Sequence, residues 1–248
     1  MPVNPTAENV LATIGTVMWM VQLVPQVIKS YREKSTEGLS PWLMLSWALS
    51  APFLGVYMIS QEISIPLILQ PQLFGAMSAL SWTQCLYYSY HKTKIQCLFA
   101  YCIFLIFAGA FQGGFAILAR RKYENGDVWS LRTFALFSSI LLSAGLLPQY
   151  WEIWKRKEVI GVSILFMIID MLGGVFSALS LVFKETFDTF AAIPYLMVVV
   201  LDALVIVLAM ILNPLARRRR QRQESNEIAV DAQRPTDKRD IPQRVITV

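Results

Sequence analysis

Residues 21–40, VQLVPQVIKSYREKSTEGLS, and residues 144–163, AGLLPQYWEIWKRKEVIGVS, fall into one ungapped register. An offset of 123 residues places Pro25-Gln26 on Pro148-Gln149, Lys34 on Lys157, Gly38 on Gly161 and Ser40 on Ser163. The same offset carries Met44 to Met167, Leu49 to Leu172, Phe53 to Phe176, Glu62 to Glu185, Pro71 to Pro194 and Leu73 to Leu196. Leu and Phe coincide often by chance in apolar sequence. Two prolines, a glycine and a loop lysine in one register do not, so the chain contains an internal repeat.

Both halves are built from membrane-length runs. The 248 residues are 55% hydrophobic and 16% charged, with a mean hydropathy of +0.49. Soluble domains average about 45–50% apolar and about 25% charged residues. A helix of about 20 apolar residues crosses the hydrocarbon core, and backbone groups in lipid must be paired internally. The segments alternating over about 10 residues that a membrane barrel needs are missing. Helices are expected near 9–30, 40–60, 65–90, 95–118, 130–154, 162–183 and 189–213, with the longest loop near 119–129. The expected fold is an all-α integral membrane protein with seven transmembrane helices. Helices 1–3 map onto 5–7, and helix 4 remains as a linker. One extra crossing gives both halves the same orientation, as in transporters with parallel repeats. The organisation is then two parallel three-helix bundles joined by a linker helix (3+1+3): 1–90 for the first repeat, 91–129 for the linker helix and its loops, 130–214 for the second repeat. After Pro214 the run Arg217 to Arg220 opens a polar stretch, 215–248, that reads as a disordered cytosolic tail. Its basic start has the composition that touches anionic lipid.

Positive residues cluster in loop 1–2 (Lys29, Arg32, Lys34), loop 3–4 (Lys92, Lys94), loop 5–6 (Lys155, Arg156, Lys157) and the tail. The positive-inside rule then places the C-terminus in the cytosol and the N-terminus in a lumen. Arg120, Arg121 and Lys122 in loop 4–5 dissent from that rule. The first positive charge is Lys29, so no cleavable signal peptide is expected. Cys85, Cys97 and Cys102 lack ligand spacing, and His91 lies in a basic loop. Neither disulfides, a metal nor another cofactor is expected.

Pro25 and Pro148 interrupt apolar helices, each freeing the carbonyl four residues back, that of Val21 or Ala144. Gln26 and Gln149 offer donors nearby. A membrane proline is ordinarily a static kink; recurrence at one position of both halves favours paired hinges. Two acids lie inside apolar runs: Asp170 before Gly173-Gly174, and Asp202 in helix 7. An intramembrane carboxylate costs at least about 2.5–3.5 kcal/mol, which makes it a functional candidate. Both suit proton coupling; the structural alternative is an interhelical hydrogen bond. Their counterparts in the first half are Trp47 and Ala79. Candidate substrate-lining residues are Gln84, Trp47, Gly173 and Gly174, the glycines because small residues let helices or a ligand approach. Gly113-Gly114 is expected to aid packing of helix 4.

Val24-Pro25-Gln26-Val27 through Lys34-Ser35-Thr36-Glu37-Gly38-Leu39-Ser40, repeated as Leu147-Pro148-Gln149 and Gly161-Val162-Ser163, resembles the PQ-loop family. That family includes cystinosin, lysosomal and vacuolar cationic amino acid transporters and, more distantly, the SWEET sugar carriers. Asp170 to Ser177 resembles the segment that carries cystinosin's proton-coupling aspartate, and Asp202 falls where cystinosin has an aspartate in its last helix. The resemblance implies hinges at Pro25, Gln26, Pro148 and Gln149 and a proton site at Asp170. Gly145 and Trp47 depart from cystinosin, so cationic, neutral and cystine-like substrates stay open. The implied function is proton-coupled export of an amino acid from a vacuole or lysosome to the cytosol. The alternative is a phospholipid scramblase or trafficking factor. A seven-helix receptor lacks its Asp-Arg-Tyr triplet here, and a retinal protein lacks its lysine in helix 7. No nucleophile–base constellation marks an enzyme, and nothing points to nucleic acid. The expected partners are a small solute and membrane lipid.

Overall fold

The structure, a computed structural model, describes residues 3–37, 39–159 and 164–233, with side chains to residue 226. Gly38, Gly161, Val162 and Ser163 lie outside the described residues. The described chain is all-helical: α1 (Pro5–Glu33), α2 (Pro41–Ser60), α3 (Ile65–Tyr88), α4 (Lys94–Glu124), α5 (Val128–Arg156), α6 (Ile164–Ser180) with a closing 3₁₀ turn (Leu181–Phe183), and α7 (Thr189–Gln233).

Local chemistry sets the helix ends. Asn4 caps α1 by accepting from the Ala7 N–H at 3.0 Å, and Pro5 occupies the first turn, where no donor is needed. Ser40 and Pro41 repeat this at α2. Thr93 and Gln96 form a reciprocal capping box at α4. Lys34 and Lys157, matched by the repeat, terminate α1 and α5 with the same left-handed backbone, φ 53° and 54°. The repeat thus extends to an unusual backbone state.

Six of the helices are long and apolar enough to cross a membrane. The exception is α3, 24 residues long and free of charge but carrying Gln70, Gln72 and Gln84. It packs against α1, α2 and α4, so its amides face protein. Four further expectations change. Helix α4 runs to Glu124, because Arg120 pairs with Glu62 and Glu124 there, and loop 4–5 shrinks to three residues, Asn125 to Asp127. Those ion pairs also offset part of the dissenting positive charge. Pro214 does not end α7, which stays helical to Gln233 instead of opening into a disordered tail at 215. Arg, Gln and Glu are good helix formers, Asn213 accepts from the Val159 N–H at 2.8 Å, and Arg220 pairs with Glu158. Residues 234–248 of the expected tail are outside the described part. Finally, Gly113 and Gly114 support no packing, since a Cβ at either would meet nothing within 4 Å.

The neighbour pattern recurs between the halves. Helix α3 packs on both α1 and α2, and α7 packs on both α5 and α6. Across the centre α1 meets α6 and α2 meets α5, contacts that exchange under the repeat. In lipid, apolar burial does not drive helices together; close packing and hydrogen bonds do. Gly15 lies against Ser177, Gly173 against the Trp19 indole, and Gly174 against Val199 and the Tyr195 carbonyl. Phe74 of α3 stands between Trp19 of α1 and Trp47 of α2, with ring centroids 5.1 and 5.3 Å away. Such pairs contribute about 0.5–1.5 kcal/mol each beyond area.

The α2–α5 contact holds the second proline. The Trp42 indole N–H donates to the Ala144 carbonyl at 3.1 Å, the group that Pro148 leaves without its helical donor. One turn away, Ser46 Oγ donates to Leu141 at 2.5 Å. In the first half, Gln26 donates to Ser30 Oγ at 3.2 Å within its own helix. Leu165, the repeat counterpart of Trp42, has no donor. The two proline sites are therefore unequal: that of Pro148 is latched to the opposite half through Trp42, while Gln26 bonds within its own helix. Trp42→Phe is expected to lower stability by about 1 kcal/mol, since lipid offers the freed carbonyl no replacement donor. Resistance of the detergent-solubilised protein to unfolding by dodecyl sulfate measures it; an unchanged midpoint would show that the latch carries no energy.

Candidate functional site

Close packing of α6 on α1 and α7 brings the polar side chains of three helices together at the centre. Asp170 and Asp202 are 1% and 0% exposed. Gln22 of α1 donates through Nε2 to Asp170 Oδ1 at 2.9 Å, and the Trp19 indole N–H donates to the Asp170 carbonyl at 3.0 Å. The carboxyl groups of Asp170 and Asp202 are close enough to influence one another, as like charges or through a shared proton. Asp170 Oδ2, both oxygens of Asp202 and Gln22 Oε1 are buried with no donor. Two charged carboxylates in contact repel, and one shared proton converts that repulsion into a bond.

Two further polar layers follow on α7 at seven-residue spacing, about 10 Å apart along the helix. In the first, Tyr195 donates to Gln70 Oε1 at 2.8 Å and Gln70 donates to Ser177 Oγ at 2.9 Å, joining α7, α3 and α6. In the second, Tyr57 donates to Asp188 Oδ1 at 2.6 Å, while Asp188 also accepts from the Ala191 N–H and caps α7. Asp188 opens on a polar cavity of about 260 Å³ that Arg132 and Lys184 also line. Asp188, Tyr195 and Asp202 thus form a column from that cavity to the buried carboxyl pair.

The other half of the centre differs. The repeat maps Gln22 onto Gly145 and Asp170 onto Trp47, and the structure packs these two together, a Cβ at Gly145 falling 3.2 Å from the indole nitrogen. The Trp47 ring stacks on Phe166 at 6.1 Å, and its N–H is buried without an acceptor. A polar pair on one side of the pseudo-symmetric centre is replaced by an indole in a glycine notch on the other.

Two regions of the chain, residues 7–67 and 131–190, match the PQ loop repeat. They cover α1 to the start of α3 and most of the second half, in step with the internal repeat. An uncharacterised protein of Schizosaccharomyces pombe is 38% identical over 216 residues, 87% of this chain and 76% of that protein. The chain belongs to the PQ-loop repeat family. An uncharacterised membrane protein of Saccharomyces cerevisiae is 36% identical over 184 residues, 73% of this chain and 59% of its own length. A vacuolar arginine/histidine antiporter of the same yeast is 40% identical over 43 residues, 17% of this chain and 14% of that protein.

Of the expected site residues in this PQ-loop protein, Asp170 and Asp202 meet. Gly173 and Gly174 stand beside them as packing surfaces for Trp19 and α7. Trp47 is buried at the centre. Gln84 is not with them: it donates to the Val27 carbonyl at 3.0 Å and lines a crevice bordered by α4. Pro25 and Pro148 are exposed, with Gln26 and Gln149 half-buried beside them. Sequence reading missed Gln22, Ser177, Tyr195 and Asp188, and among the amides of α3 it favoured Gln84 over Gln70. The seven-residue spacing of Asp188, Tyr195 and Asp202 was the available signal. Gln22 stood out only as an amide in an apolar run.

Proposed function

We propose that this protein is a proton-coupled transporter that moves an amino acid or similar polar solute across an organelle membrane by alternating access. The observation that carries it is the buried Asp170–Asp202 pair, three of whose four oxygens have no donor where α1, α6 and α7 meet. Buried polar atoms without partners call for a ligand or a function, and an intramembrane acid marks a proton or substrate path. Protons would enter through the Asp188 cavity and pass along the Tyr195 layer to the pair. With the C-terminus read as cytosolic by the positive-inside rule, that cavity would open to the lumen, and solute would be exported toward the cytosol. Similarity to a vacuolar arginine/histidine antiporter supports a vacuolar or lysosomal membrane and brings cationic amino acids forward. Neutral and cystine-like substrates belong to the same test.

Uptake of a panel of labelled amino acids into proteoliposomes, with and without an imposed pH gradient, tests the reading. The expected result is gradient-dependent accumulation of at least one amino acid. Lipid flipping in the same vesicles with no solute uptake would replace it with the scramblase alternative.

A further inference from the structure

We infer that the cleft between α1, α3 and α4 at the basic end of the bundle is a binding site for an anionic phospholipid. The cleft has two connected parts that share Tyr31, Tyr87, Tyr88 and Lys94. The outer part, about 620 Å³, is rimmed by Lys34, His91, Lys92 and Lys94. The inner part, about 230 Å³, continues between Leu80 of α3 and Leu98 and Tyr101 of α4. No carboxylate lines either part. At the opposite end of the bundle Arg120 is paired with two glutamates; the three lysines here make no ion pair among the described residues. Lys34 is held over the Tyr31 ring at 3.8 Å, and a hydroxyl contact between Thr36 and Ser89 at 2.6 Å ties together the loops that carry Lys34 and Lys92.

Like charges gathered on one opening repel one another, and an anion relieves that repulsion. A soluble phosphate would occupy the rim alone and leave the apolar extension empty. A phospholipid matches both parts: the phosphate on the lysines and an acyl chain along Leu80, Leu98 and Tyr101. Basic pockets between membrane helices take anionic headgroups in this way. The lining does not recur in the second half, where Tyr87 and Tyr88 map onto Met210 and Ile211 and no helix corresponds to α4. Tyr31 and Lys34 lie beyond Pro25 on α1, so bound lipid would tie the segment past that proline to α3 and α4.

Native mass spectrometry and thermal melting of the purified full chain in neutral detergent test the site. Dioleoyl phosphatidylserine is expected to stay bound and raise the melting midpoint, whereas dioleoyl phosphatidylcholine and inorganic phosphate do neither. Combined K34Q, K92Q and K94Q should weaken retention about tenfold or more, given the attraction of each lysine near the headgroups. Leu98→Trp, which keeps every charge and narrows the inner part, should also lower retention. Replacing Arg217 to Arg220 with glutamine should leave it unchanged. Equal retention of the neutral lipid, an equal shift with inorganic phosphate, loss only in the tail variant, or no loss in either cleft variant would overturn the proposal.

Discussion

Asp170→Asn is expected to reduce pH-gradient-driven uptake to the level of empty liposomes while the protein remains folded. Asparagine keeps an oxygen to accept from Gln22 and fits the same space, but it can neither take up nor release a proton. Substrate exchange at equal pH on both sides should persist at a measurable rate, because exchange requires solute binding and hinge motion without net proton movement. That split separates a coupling role from a structural one. A carboxyl needed only for packing would lose both activities together, with a lowered melting midpoint. Uptake that still follows the pH gradient in Asp170→Asn would remove Asp170 from the proton site.

Gly173→Leu is the second large effect. A Cβ at residue 173 would overlap the Trp19 indole, so the larger side chain must displace that ring or push α6 from α1. Displacing it breaks the Trp19 bond to the Asp170 carbonyl and disturbs the ring contacts with Phe74 and Tyr195. Overpacking of this kind costs about 1–3 kcal/mol and occasionally more. Thermal melting in detergent is the measurement, with Gly113→Leu as the reference because a side chain there meets nothing. Combining Gly173→Leu with Trp19→Leu should restore part of the loss, since the two residues compete for one space. Additive losses in the double variant would show that the clash is not the cause.

Local chemistry explains why so much was legible in advance. The lipid requirement for internally paired backbone makes each long apolar run a helix, and the proline–glutamine register exposes the repeat without any knowledge of contacts. Asp170 and Asp202 could be singled out one by one because a carboxyl in an apolar run is costly wherever that run packs. Cap residues such as Asn4 and Thr93 act within four residues of themselves, so they too are readable locally. The α7 boundary failed for the opposite reason: its extension past Pro214 is supported by Asn213 reaching Val159 and Arg220 reaching Glu158, groups far away in sequence.

The sequence by itself determined the helical membrane fold, the repeat, the two prolines and the two intramembrane acids. Each follows from the solvent that a segment must meet or from a residue's own backbone. Only the tertiary structure decided that the acids form one site, that Gln22 serves Asp170, that Trp42 of the opposite half serves the carbonyl freed by Pro148, and that Gln84 belongs elsewhere. Those outcomes depend on which helix faces turn toward each other. That choice is fixed by glycine notches and large rings such as Gly173 with Trp19 and Gly145 with Trp47, partners that lie in opposite halves of the chain.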